Sequence, residues 1–159
     1  LRQGSRQLSV PPVAKLAVDE MAAAERLGGA IRFQTIASRD DPNANAAEFR
    51  KLHDYLQQRY PKAHATLKRE LVGGLSLLYT WPGTDPQAKP ILLLAHQDVV
   101  PVSPGTESKW EVPPFSGEVK GGYIWGRGSW DDKGNLIAQM EAVEMLVASG
   151  FRPRQTVYL

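Results

Sequence analysis

Ile91-Leu92-Leu93-Leu94-Ala95-His96-Gln97-Asp98-Val99-Val100-Pro101 is the stretch that decides the fold class. Its first five residues are apolar without alternation, which predicts a strand covered on both faces, as at the centre of an α/β sheet. The run stops at His96, and a loop rich in Pro, Ser and Gly follows. His96 and Asp98 are two positions apart, so in extended backbone their side chains point the same way. They also stand at the carboxyl end of a sheet strand, where open α/β sheets place their ligands.

Downstream, Phe115 to Trp125 predicts a small hairpin turning at Gly121-Gly122. Gly126 to Gly134 is a second glycine-rich loop. Leu136, Met140, Val143 and Val147 then recur at helical spacing, Ile137 and Leu146 widen the stripe, and Gly150 can close the helix. Thr156 to Leu159 is β-branched, aromatic and apolar, which predicts the start of another strand and a continuation beyond it. Strand, loop, helix and strand in that order predict an α/β fold whose central sheet is mixed but largely parallel and is flanked by helices.

Upstream, residues 1–9 predict a polar arm, and one domain occupies residues 10–159. Pro11-Pro12 open a segment with apolar Val13, Leu16, Ala17, Met21 and Ala24, expected as a helix ending near Gly28-Gly29. Ile31, Phe33 and Ile36 continue as a short helical or extended piece, and residues 38–45 supply turn residues. A second helix is expected from Ala46 to Tyr60, with Phe49, Leu52, Tyr55 and Leu56 as its apolar stripe and Pro61 as its stop. Residues 65–81 hold two apolar runs broken at Gly73-Gly74, which predicts paired strands or a bulged strand.

Composition narrows the function classes. The 159 residues are 42% hydrophobic and 23% charged, ordinary for a globular domain. Nineteen basic and 17 acidic residues are interspersed for a net charge of +2, with no basic block and no aromatic-basic pattern, so nucleic acid is not an expected partner. No apolar run approaches the roughly 20 residues of a membrane span. The absence of cysteine removes disulfides, thiol nucleophiles and thiolate metal sites, which leaves His, Asp and Glu as possible ligands. The first residue is Leu1 rather than Met, so a signal peptide or anchor could have preceded it.

Two clusters carry chemistry, and each admits two accounts. His96 and Asp98 suit a zinc ligand and the carboxylate that orients it, or a histidine capping a strand and an aspartate closing a turn before Pro101. Asp131 and Asp132, in Gly126-Arg127-Gly128-Ser129-Trp130-Asp131-Asp132-Lys133-Gly134, suit a divalent ion approached closely by glycine backbone, or carboxylates that favour a helix N-terminus. A phosphate loop is rejected: no Gly-Lys-Ser/Thr follows the glycines, and acids stand where phosphate would sit.

Taken together, His-x-Asp after a strand and Asp-Asp-Lys-Gly before a helix resemble the metallopeptidase family of aminoacylase, carboxypeptidase S and the bacterial glutamate carboxypeptidase. The stretches Trp110 to Gly117 and Gly122 to Gly128 are similar to the carboxypeptidase S and N-acyl-amino-acid hydrolase branch. The resemblance covers residues 90–159 strongly and the first 90 only in the order of elements. It implies that residues 10–159 are the N-terminal part of a two-zinc catalytic domain, with Co²⁺ or Mn²⁺ as possible substitutes.

Residue by residue, the resemblance implies that His96 ligates one zinc, Asp131 bridges two, and Asp98 is the catalytic-site carboxylate that holds His96. It implies a cis peptide bond between Asp131 and Asp132, tight packing at Gly134, no ligand role for Arg127 or Lys133, and a position at Asp132 that varies in the family. His53 and His64 match nothing in the family and are expected as solvated surface histidines. Glu141 and Glu144 do not match the family's Glu-Glu pair, which supplies the general base and a ligand. That pair, a further acidic ligand and a late histidine are not in these 159 residues. The implied substrate is a peptide or an N-acyl amino acid. A secretory or vacuolar route is favoured over the cytoplasm, and a homodimer would form through a further domain.

Overall fold

Asp19, rather than the Pro11-Pro12 pair, starts the first helix. The computed structural model describes residues 4–12, 14 and 16–159. The expected arm position at residues 1–3 and the expected helical position Val13 lie outside them. Helix α1 spans Glu20–Ile31, and the Asp19 carboxylate accepts the Ala22 N–H at 3.0 Å. The described residues just before Asp19 are not helical, and Leu16 is 73% exposed. An apolar spacing without a cap did not define the start, whereas a carboxylate able to satisfy a free N–H did.

The expected end near Gly28-Gly29 is also corrected. Both glycines lie inside α1 and are buried. A Cβ on Gly28 would stand 2.4 Å from the Gly117 carbonyl oxygen, and one on Gly29 would stand 2.1 Å from the Tyr55 hydroxyl. These glycines admit neighbours to the helix surface instead of terminating it.

Helix α2 is Ala46–Arg59 and buries Leu52 and Leu56 on its expected stripe. Pro61 ends it and at once opens helix α3, Pro61–Thr66, the position where a missing N–H costs nothing. Strands β1 (Lys68–Val72) and β2 (Ser76–Trp81) form an antiparallel hairpin whose turn uses Gly73 at φ 60° and Gly74 at φ 89°. Strand β3 is Ile91–Leu92, and a small hairpin pairs β4 (Val119–Lys120) with β5 (Tyr123–Ile124). Helix α4, Lys133–Ala148, leads to strand β6, Val157–Tyr158.

The main sheet is mixed, in the order β1-β2-β6-β3. Its parallel part is the β3–β6 pairing, joined through α4, while β1–β2 and β2–β6 are antiparallel. Burial of the decisive strand departs from expectation. Leu92 is 61% and Leu94 72% exposed, because among the described residues β3 is an edge strand. Alternate β2 residues Leu77, Tyr79 and Trp81 meet the helices in a core with Leu52, Leu56, Tyr60, Leu136, Ile137, Met140 and Val143.

Polar ties run through the helical layer. Glu141 pairs with Arg26 of α1 and accepts the Tyr60 hydroxyl at 2.8 Å. Glu144 accepts the Ala63 N–H at 2.7 Å and the Lys62 N–H at 3.1 Å, satisfying the start of α3. Both glutamates are therefore structural, consistent with their mismatch to the family pair. The expectation of solvated histidines is corrected. His53 is only 3% exposed and bonds Gln97, and His64 is half-buried between the Tyr60 carbonyl and the Tyr79 hydroxyl. Burial lowers both their pKa values. A helix that reads as polar-faced still turns His53 inward because a polar partner waits there.

Candidate metal centre

The loop that presents Asp131 depends on glycine. Gly126 has φ 143° and Gly128 φ 89°. A Cβ on Gly126 would meet Ile31 Cγ2 at 2.6 Å, and one on Gly128 would meet Val99 Cγ1 at 2.7 Å. The loop can thus lie against both α1 and the segment after His96. At the start of α4, a Cβ on Gly134 would meet the Ser129 carbonyl oxygen at 2.4 Å, so the loop folds tightly back on the first helical turn. The Asp131-Asp132 peptide bond is cis, as expected.

Lys133 fixes this turn from inside. It is fully buried, and its Nζ donates to the carbonyls of Ala30 at 3.0 Å and Phe33 at 2.6 Å. Desolvation pushes its pKa down to about 8, against the opposing pull of Glu48. Arg127 lies over the Trp110 ring, 5.1 Å from its centroid. Both cations are engaged away from the two aspartates.

His96 and Asp131 come together although they are 35 residues apart. His96 Nε2 lies 2.8 Å from Asp131 Oδ1. On the other side of the ring, Nδ1 lies 3.0 Å from the Asp98 carbonyl oxygen and 3.1 Å from its Oδ1. The His96 backbone N–H donates to Asp132 Oδ2 at 3.1 Å, a tie the sequence did not suggest. Burial acts most strongly on the His96 pKa and lowers it, but the bond to Asp131 and the charges of Asp98 and Asp132 together raise it above its ordinary value. The Asp131 side chain is 81% exposed. The group opens on a cleft of about 290 Å³ that Trp110, Ser129 and Trp130 also line.

An imidazole nitrogen facing a carboxylate oxygen, with its second nitrogen held by another carboxylate, is a donor set of the kind zinc uses. Among the described residues, no three His, Asp or Glu side chains gather into a metal cage. His96 and Asp131 are two side chains of metal-ligating type facing each other at an open cleft. Residues 92–159 match peptidase family M20/M25/M40. That match covers 68 of the 159 residues, and over them the chain is similar to this family.

Similarity extends well upstream of the family match. Carboxypeptidase S of Saccharomyces cerevisiae is 47% identical over 142 residues, 85% of this chain and 25% of that protein. The human N-fatty-acyl-amino acid synthase/hydrolase PM20D1 is 39% identical over 145 residues, 89% of this chain and 28% of that protein. The first 90 residues thus share more than an order of elements with these relatives. Two solved structures share the fold. A metallo-carboxypeptidase from Sulfolobus solfataricus has a TM-score of 0.64 at 21% identity, covering 86% of this chain and 29% of its own. Human carnosine dipeptidase 1 has a TM-score of 0.66 at 18% identity, covering 87% and 31%. The chain spans about a quarter of the length of the curated relatives it matches.

Proposed function

We propose that this chain carries one edge of the two-zinc centre of a hydrolase that cleaves a peptide or N-acyl-amino-acid amide bond. The observation that carries the proposal is the 2.8 Å approach of His96 Nε2 to Asp131 Oδ1 at an open cleft, with Asp98 behind the imidazole. His96 would hold one metal through Nε2, and Asp131, the most exposed of the three, would bridge both. Asp98 holds the ring so that Nε2 faces the cleft and makes that nitrogen more basic. Asp132 pins the His96 backbone from the helix side. Bound there, zinc supplies Lewis-acid chemistry, polarising a carbonyl and acidifying a water.

The relatives named carboxypeptidase S and N-fatty-acyl-amino acid synthase/hydrolase support an amide substrate with a free carboxylate. The 159 residues alone assemble two ligands and no general base, and in this reading they are inactive by themselves. Base catalysis alone typically contributes ~10² to 10⁴ in rate.

The test is hydrolysis of N-acyl amino acids and dipeptides by the full-length protein, with zinc and after chelation. Activity should require metal and disappear in His96→Ala and Asp131→Asn. Undiminished turnover by the chelated protein or by both variants would end the proposal.

A further inference from the structure

Gln97 stands between His96 and Asp98, and its side chain turns the opposite way, toward α2 and the β1–β2 turn. Its Nε2 donates to the Leu75 carbonyl at 3.0 Å, and its Oε1 lies 2.6 Å from His53 Nε2. Its main-chain carbonyl accepts the Thr35 hydroxyl at 2.6 Å. Thr35 is fully buried and His53 nearly so. The grip continues two residues on: the Val99 N–H donates to the Thr35 carbonyl at 2.9 Å, and the Ala37 N–H donates to the Val99 carbonyl at 3.0 Å. Nothing in the metal chemistry itself uses Thr35, His53 or Gln97.

The hydrogen bonds fix the orientation of each group. Because the amide nitrogen of Gln97 is committed to the Leu75 carbonyl, its oxygen must face His53, and His53 must then carry its proton on Nε2. Buried polar groups satisfied in this way on three sides rigidify what they hold. The held residue is the one whose side chain lies opposite to the two site residues. Rotation of the segment about its own axis would swing His96 and Asp98 together, and the contacts to Gln97 oppose that rotation.

We propose that Thr35, His53 and Gln97 form a clamp of positioning residues that sets the aim of His96 and Asp98 toward the metal. The proposal rests on the metal-centre reading above. Outer partners of metal-ligating histidines typically influence affinity by ~10- to 100-fold, and the clamp acts one step further back, through the backbone.

The test uses the full-length protein, with zinc affinity measured by competition against a chromophoric chelator and stability of the metal-free form measured by urea unfolding. Gln97→Leu removes the amide, and Thr35→Val removes one hydroxyl while keeping shape, so the second variant serves if the first does not fold. Both should weaken zinc binding by ~10-fold or more, and Thr35→Ser should restore it. A merely structural role would lower the stability of the metal-free protein and leave the zinc affinity of the folded variants at the wild-type value. That result overturns the clamp while the metal centre stands. A wild-type protein that binds no zinc overturns the metal centre and the clamp with it.

Discussion

Gly28→Ala should destabilise the protein, although it places the best helix former in the interior of a helix. In α1 the exchange gains ~1 kcal/mol of helix propensity. Against this, the new methyl would stand 2.4 Å from the Gly117 carbonyl oxygen, and the approach is reciprocal, since a Cβ on Gly117 would stand 1.9 Å from the Gly28 carbonyl oxygen. Unstrained contact of carbon atoms lies near ~3.5 Å, so one backbone must withdraw by roughly 1 Å. No flexible side chain can yield in its place. Overpacking of this kind costs ~1 to 3 kcal/mol, and withdrawal of α1 would also draw the Ala30 and Phe33 carbonyls from Lys133. These two terms leave a net loss of up to ~2 kcal/mol, to which the weakened Lys133 bonds add, with a fall in Tm of ~2 to 4 °C per kcal/mol for a domain of this size. Urea unfolding followed by circular dichroism measures it, with Gly4→Ala as the control because nothing lies within 4 Å of a Cβ there. A Gly28→Ala protein as stable as wild type, or more so, would falsify the backbone-contact argument.

Lys133→Met should cost ~1 to 3 kcal/mol, because it removes the Nζ donor from the Ala30 and Phe33 carbonyls, which keep only the Phe33 N–H at 3.4 Å and the Thr35 N–H at 2.9 Å; chemical denaturation of the pair measures it. Folded Lys133 releases its proton near pH 8, whereas an unfolded lysine does so near ~10.4. Between those values the unfolded state binds more protons, so wild-type stability should gain with rising pH relative to Lys133→Met. A flat difference between pH 8 and pH 10 contradicts the buried-cation account. The raised pKa of His96 makes a proton compete with zinc, so zinc affinity should fall as pH drops through the range where His96 protonates, with proton release on binding visible in buffers of different ionisation enthalpy. Asp98→Asn should weaken zinc binding by ~10- to 100-fold with little change in unfolding midpoint; unchanged affinity removes Asp98 from the site.

Much of the chain's order was legible because its signals are local. The β1–β2 turn at Gly73-Gly74, the hairpin turn at Gly121-Gly122, Pro61 and Gly150 each act through their own backbone, and each was placed correctly from the residues alone. Gly28 and Gly29 were misread because a glycine needed for close packing has the same letter as one that ends a helix, and the partner, Gly117, is far away in sequence. The exposure of Leu92 and Leu94 escaped for a related reason: apolar character says that a strand can be covered, and only its neighbours say whether it is. At the site, His96, Asp98 and Asp131 were visible as chemistry at recognisable spacing. The Gln97–His53 contact was not, since it depends on which side chain of α2 faces the sheet.

Lys133 closes onto α1 across 103 residues of chain. At ~5 to 20 residues per second, synthesis leaves ~5 to 20 s between the emergence of Ala30 and that of the lysine that will bind its carbonyl. Throughout that interval the inner face of α1, with Ala30 and Ile31 wholly covered in the finished fold, has no α4 to lie against. Among α1 to α4, the first to be made is secured only when the last has followed. A nascent chain arrested before Lys133 should therefore present α1 to chaperones and proteases, and one arrested well beyond it should not.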